Sequence, residues 1–321
     1  MNNTNFIKPI WLGGLPIGRD WDAKYTLDIV NSLSKEREYI FDLADIYSNG
    51  KALKIIIDIS KELPSNIKIS FKYGLKSENI TGFFKVYKRE YSNDFSDDIL
   101  RIFEKIGFQK IHSFQLHALP DKDKSIENLK KSIIKIKKSL KYLKIGISNI
   151  EVNEFKYFIK DFPIKFDLIQ IHANILEQRL LNEFCKNFGK NYKFIINRSL
   201  ARGLLTNPNR FIKNNRSRYS TSPRVRKSLT KEKLNFLNLI SEYIEDKDTS
   251  IERVAYSWFS TFQFDIDPII GSRTKKQLIS SLQILNSITS QDIKIAQEIS
   301  LMALKIKDLS PDKLPAYALE L

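Results

Sequence analysis

The feature that most constrains this chain is a repeated alternation of short β-like runs with amphipathic segments of helical spacing. Residues 39–43, 67–72, 111–117, 143–148, 166–171, 193–196 and 268–270 read as strands. Between them, 25–35, 52–62, 97–106, 126–141, 151–160 and 178–188 read as helices. In the 126–141 segment Ile126, Leu129, Ile133, Ile136 and Leu140 recur at helical spacing while lysines fill the other face. A repeated β-then-α order predicts parallel strands covered by helices. Two architectures satisfy it, a (β/α)8 barrel and a doubly wound sheet. The doubly wound sheet normally carries a glycine-rich turn after its first strand. Gly13, Gly14 and Gly18 have no helix at the right distance and read only as an early turn. The expected fold is therefore the (β/α)8 barrel, as a single domain over residues 1–321.

The chain has 321 residues, enough for one such barrel with loop insertions. Apolar runs such as Ile55-Ile56-Ile57 are too short to span a bilayer, and no membrane association is expected. Met1 to Lys8 shows no positive stretch followed by a long apolar one, so a cytoplasmic protein is expected. Cys185 is the sole cysteine, which excludes an internal disulfide and a cysteine-based zinc site. With three histidines, a histidine-rich metal site is not expected either.

The formal net charge is +16. A basic balance can signal nucleic acid. Here lysine is spread along the whole chain as solvated helix faces, and no aromatic-basic motif accompanies it, so nucleic acid is not the expected partner. One stretch stands apart: 184–231 contains no Asp or Glu but includes Arg198, Arg202, Arg210, Arg216, Arg218, Arg224 and Arg226. Within it, 206–229 reads as a long basic loop, either functional or an insert without fixed structure.

On an α/β barrel the active site lies at the C-terminal ends of the strands. Asp42 sits in a strand and Tyr47 follows five positions later; Lys72 ends the next strand and His117 the one after. Strand alternation puts Ser113, Gln115 and His117 on one face and His112, Phe114 and Leu116 on the other. Each of the four is, singly, more often a solvated or ion-paired residue. As an ordered set they suit carbonyl reduction. A tyrosine hydroxyl is a weak acid, with a pKa of about 10. A neighbouring ammonium makes it a better proton donor, an aspartate keeps that ammonium charged and oriented, and a histidine positions the carbonyl oxygen.

The set resembles the catalytic tetrad of the aldo-keto reductase family, a TIM-barrel family with Asp, Tyr, Lys and His in this chain order. Phe41-Asp42-Leu43-Ala44-Asp45-Ile46-Tyr47 is similar to the family's F-D-T-A-x-x-Y, Phe71-Lys72 to its T-K, and Gln115-Leu116-His117 to its Q-L-H. Lys144-Ile145-Gly146-Ile147-Ser148-Asn149 resembles R-x-x-G-V-S-N, and Gln170 matches the Gln ending the sixth strand. Residues 200–206, Leu-Ala-Arg-Gly-Leu-Leu-Thr, resemble L-x-x-G-L-L-T; Ile269-Ile270-Gly271-Ser272-Arg273 with Gln277 resembles I-x-G-x-R-x-x-x-Q. These matches span about residues 10 to 285 in order.

The resemblance implies an oxidoreductase for aldehydes or ketones, sugar-like ones among them, with Tyr47 as general acid, Lys72 and Asp42 tuning it, and His117 orienting the substrate. It implies NADP(H) as cofactor. Ser148, Asn149 and Gln170 would hold the nicotinamide carboxamide. Asn197, Leu200 and Arg202 would line the same cofactor site, and Gly271, Ser272, Arg273 and Gln277 the adenosine end. Arg273 beside a serine suits a 2′-phosphate and favours NADP over NAD.

Some positions depart from the family. Asn197-Arg198-Ser199-Leu200 lacks the aromatic ring that stacks on nicotinamide, Ser280-Ser281 replaces Glu-Asn, and His112 stands where an Asp is frequent, facing away from the pocket. His172 shares the face of Gln170 and either lines the substrate pocket or bonds a loop. The 206–229 loop either closes over the cofactor pyrophosphate or is an insert; its arginines also suit an anionic substrate. The rival to an enzyme is a non-catalytic, NADPH-binding relative with a regulatory or interaction role.

Overall fold

The computed structural model describes residues 8–80, 83–88, 91, 93–120, 123–160, 162–206, 230–306 and 309. The basic 207–229 segment, with Arg210, Arg216, Arg218, Arg224 and Arg226, lies outside the described residues.

Eight parallel strands close a barrel. They are β1 (Ile10–Gly13), β2 (Tyr39–Ala44), β3 (Ile67–Tyr73), β6 (Ile111–Leu116), β7 (Lys144–Ser148), β8 (Leu168–His172), β9 (Lys193–Asn197) and β10 (Ile266–Ile270). Around the barrel the order is β1, β10, β9, β8, β7, β6, β3, β2. Two further strands, β4 (Leu75–Ile80) and β5 (Phe83–Lys88), pair antiparallel as a hairpin that leaves the chain directly after β3. The chain divides into two compact units, one chiefly Met1–Gln170 with Ser272–Lys275, the other chiefly Ile171–Gly271 and Lys276–Leu314.

In the first unit the helices are α1 (Ala23–Asn31), α2 (Lys51–Asp58), α3 (Ser96–Ile106), α4 (Asp123–Ser139) and α5 (Val152–Lys160). Asp22 starts α1 by accepting the Tyr25 N–H at 2.7 Å, which satisfies an N–H that helix geometry leaves orphaned. β1 escaped the sequence reading because it is four residues long and runs into Gly13-Gly14. Gly14 is required there: its N–H donates to the Asp42 carbonyl at 3.0 Å, and a Cβ would stand 2.8 Å from that oxygen. Phe114 faces outward onto Phe103 of α3, with Phe71 and Phe95 in the same aromatic cluster. Phe71, Phe103 and Phe114 are fully buried, each contributing roughly 1.5–3 kcal/mol by area.

Strand alternation holds along β6 from Ser113 onward and fails just before it. Ile69 pairs with Ile111, but Ser70 pairs with Ser113, so His112 is the extra residue of a β-bulge. Its ring meets Trp11 edge-on at 5.2 Å. Trp11 belongs to β1, which does not adjoin β6, so the rings meet across the barrel interior. The expectation that His112 shares the face of Phe114 and Leu116 is thereby corrected; the bulge re-aims it.

In the second unit the helices are α6 (Arg179–Phe188), α7 (Lys231–Tyr243), α8 (Ile251–Ser257), α9 (Lys275–Asn286, its first residue from the other unit) and α10 (Ser290–Leu304). Hydroxyl caps mark three starts: Thr230 for α7, Ser250 for α8, and Thr289 for α10, where Asp292 completes a reciprocal capping box. Among the described residues no helix is long and apolar enough to cross a membrane.

Candidate active site

β2 and β3 lie in register with Ala44 opposite Lys72, and β3 and β6 with Lys72 opposite Gln115. That register sets Asp42 and Lys72 side by side. The Lys72 ammonium donates to the Asp42 carboxylate, with side chains only 2% and 6% exposed. The other Asp42 oxygen accepts from Gln170 Nε2 at 2.8 Å, and Gln170 Oε1 accepts from the Ser148 hydroxyl at 2.8 Å. Asn149 donates to the His117 carbonyl at 3.0 Å and holds a left-handed backbone, φ 54°.

Tyr47 is positioned by a turn in which Ser48, Asn49 and Gly50 are all left-handed, φ 52°, 56° and 81°. Ser48 ties it by donating to the Ile17 carbonyl at 2.8 Å, and Ser77 of the hairpin donates to Asn49 Oδ1 at 3.1 Å. The Tyr47 ring lies 5.1 Å from the Lys72 nitrogen and edge-on to His117, centroids 6.1 Å apart. Asp42, Tyr47, Lys72 and His117 are all buried and converge.

Burial lifts the Tyr47 hydroxyl above its ordinary value; Lys72 pulls it down but does not win. The hydroxyl therefore stays protonated at neutral pH, the state a proton donor needs. Burial works against the Lys72 charge too, yet Asp42 and Tyr47 overcome it and raise Lys72. His117 is pushed well down, first by burial and then by Lys72, so it is neutral. Its Nδ1 is buried without a hydrogen-bond partner among the described residues. A neutral imidazole with one ring nitrogen to spare can serve a carbonyl oxygen or the proton beside it.

The residues fit a nicotinamide dinucleotide in part. Asn149 commits its amide N–H and leaves Oδ1 to accept, and Ser148 and Gln170 keep lone pairs, which suits a carboxamide. Asn197 Oδ1 is a buried acceptor with no partner among the described residues. A Cβ built on Gly271 meets nothing within 4 Å, so space is open beside it. Ser272 is buried, and Arg273 lines a groove of about 860 Å³ with Arg19, Trp21, Tyr25, Lys51 and Lys54. Asp20, Asp22 and Asp58 line the same groove and Arg19 is paired with Asp20 at 2.6 Å, so its charge is mixed, and Arg273 is a guanidinium of the kind that suits a phosphate. Trp21 Nε1 donates to the Arg273 carbonyl at 2.7 Å and fixes the segment. Two positions fit less well: no ring stands at 197, and the Ser281 hydroxyl is committed to Glu252 at 2.7 Å.

In the second unit Leu200 is buried and Arg202 is left-handed, φ 59°; Gln277 lies near the start of α9. A cluster there escaped the sequence reading. Lys233 Nζ bonds Glu177 Oε1 at 2.6 Å, with the lysine side chain 3% exposed. His172 is driven down to about 4, first by burial and then by Arg198, with Arg202 and Arg179 adding and Glu177 opposing. Lys233 lies 61 positions from His172 in the sequence, so only folding brings them together. We expect the His172 ring to titrate near pH 4 by NMR. Its unfolded value is about 6.5, so the unfolded chain takes the proton first as pH falls. His172 therefore withdraws stability between about pH 6.5 and 4, and His172→Gln should flatten that stretch of the stability curve. A ring titrating near 6.5 would refute this.

The sequence profile described as the Aldo/keto reductase family matches residues 9–301. The chain belongs to the aldo/keto reductase family, a family of oxidoreductases, and has its barrel fold. Solved structures agree on the fold. A glycerol dehydrogenase from Gluconobacter oxydans is similar with TM-score 0.70 at 18% identity, covering 94% of each chain. An aldo-keto reductase from Bacillus halodurans, in its holo form, gives TM-score 0.66 at 17% identity, covering 90% of this chain and 91% of that one. No curated protein sequence matches.

Proposed function

We propose that the protein is an NADP(H)-dependent reductase of aldehydes or ketones in which Tyr47 is the general acid. The observation that carries this reading is the buried convergence of Tyr47, Lys72, Asp42 and His117. A nicotinamide dinucleotide, when bound, supplies a hydride for the carbonyl carbon. Tyr47 would donate a proton to the carbonyl oxygen, completing its conversion to an alcohol. Lys72 stabilises the phenolate left behind, Asp42 holds Lys72, and neutral His117 orients the oxygen. Ser148, Asn149 and Gln170 hold the carboxamide, with Asn197, Leu200 and Arg202 beside them. Gly271, Ser272, Arg273 and Gln277 hold the adenosine end, Arg273 selecting a 2′-phosphate. The chain acts as one barrel domain in the cytoplasm on small carbonyl compounds.

The test is oxidation of NADPH against NADH over a panel of neutral and sugar-like carbonyls. Turnover with NADPH supports the reading, and a preference for NADH refutes the role of Arg273. The absent ring at 197 and the committed Ser281 favour a second reading, a non-catalytic NADPH-binding protein. Tight NADPH binding with no turnover across the panel would select it.

A further inference from the structure

We propose that Trp21 and Tyr25 are positioning residues for Arg273, and that by holding its backbone they set the preference for a nucleotide bearing a 2′-phosphate. The inference rests on the cofactor reading above and names what makes Arg273 selective. Trp21 Nε1 donates to the Arg273 carbonyl at 2.7 Å, and the Lys275 N–H donates to the Tyr25 hydroxyl at 2.9 Å. The two bonds flank Thr274, so the backbone leaving Arg273 is held at successive peptide units. The partners stand 252 and 250 positions apart in the chain, so folding alone joins them. A third tie runs from the Lys275 ammonium to both oxygens of Asp28, at 2.9 and 3.0 Å. Its side chains are 33% and 55% exposed, and ion pairs this open to water are worth little. The holding therefore falls to the two neutral bonds.

The anchors are themselves rigid. Trp21 is buried and closes a tight turn. The N–H groups of Arg19, Asp20 and Trp21 converge on the Pro16 carbonyl at 3.0, 2.8 and 3.0 Å, and the Gly18 N–H donates to the Trp21 carbonyl at 2.7 Å. Gly18 is left-handed, φ 77°, and a Cβ there would stand 2.8 Å from the Lys51 Cβ, so the turn needs glycine. Tyr25 lies in the first turn of α1, where its own N–H bonds Asp22, and its ring meets Trp21 edge-on, centroids 6.4 Å apart. A loose arginine must give up backbone freedom when it grips a phosphate; here folding has already removed that freedom. A guanidinium fork makes two parallel bonds to a phosphate only when it is aimed at it. Aim matters in this groove because Asp20, Asp22 and Asp58 line it together with the cations, so diffuse charge draws a phosphate only weakly.

The experiment titrates the full chain with adenosine 2′,5′-bisphosphate and with 5′-AMP, which differ only in the 2′-phosphate, and measures each Kd by calorimetry. The native chain should bind the bisphosphate about tenfold more tightly or better, the size of one charge-assisted hydrogen bond. Tyr25→Phe and Trp21→Phe should each cut that ratio about fivefold, the worth of one neutral hydrogen bond, while the Kd for 5′-AMP moves less than about twofold. Asp28→Asn should leave the ratio within about twofold of native. Arg273→Gln should lose the ratio, and Tyr25→Phe added to it should cost nothing further, because a positioning residue acts through the group it aims. Tyr25→Phe removes one oxygen from a half-buried ring and carries the test if Trp21→Phe does not fold. A ratio that survives both substitutions overturns the proposal and leaves the cofactor reading standing. So does equal weakening of both nucleotides, or a Tyr25→Phe loss of full size in the Arg273→Gln protein. Equal affinity of the native chain for the two nucleotides sinks the 2′-phosphate reading itself, and the proposal with it.

Discussion

Tyr47→Phe is expected to lower carbonyl-dependent NADPH oxidation by about 10²–10⁴-fold, the usual worth of a positioned general acid. The change removes one oxygen and keeps the ring that packs edge-on to His117 and beneath the Lys72 ammonium. The fold and the NADPH Kd should therefore be unaffected. Burial holds the hydroxyl protonated beyond its ordinary value. Reduction by the native protein should hence not lose its acid until the pH passes about 10. Phenylalanine at 47 with activity within a few fold of wild type would remove Tyr47 from the mechanism.

Lys72→Met should damage both stability and activity. The ammonium and the Asp42 carboxylate are almost fully enclosed, and the other carboxylate oxygen is bonded by the neutral Gln170 amide. Removing one partner leaves a buried charge facing methylene groups, which costs about 3–5 kcal/mol. For a chain of this size that is a fall in Tm on the order of 10 °C. Asp42→Asn combined with Lys72→Met removes both charges, so most of the lost stability should return, measured by urea denaturation. Activity should not return, because the phenolate would still lack its cation. If the single variant melts with the native protein, the pair contributes no net stability.

Much of the barrel was legible because its signal is local. Tyr39–Ala44, Lys144–Ser148 and Lys193–Asn197 are runs with turn signals at their ends, and the sequence reading placed each within a residue or so. That Asp42, Tyr47, Lys72 and His117 come from neighbouring strands was legible for the same reason: each lies in the C-terminal half of a strand or just beyond its end. The β4–β5 hairpin was passed over, although its two runs flank Thr81-Gly82. The helices beyond residue 230 were passed over as well, although Thr230, Ser250 and Thr289 are usable start signals.

The order of residues along the chain determined which side chains end the strands, because alternation and spacing are properties of neighbours. Tertiary structure alone decided how their protons and charges are set. Whether Lys72 or burial governs Tyr47 depends on what encloses the phenol, and no neighbour in sequence reports that. The bulge that turns His112 onto Trp11 comes from the pairing of two strands. The cluster of His172, Glu177, Arg198 and Lys233 exists only once separate segments pack together, since electrostatic fields follow distance in space and not position in the chain.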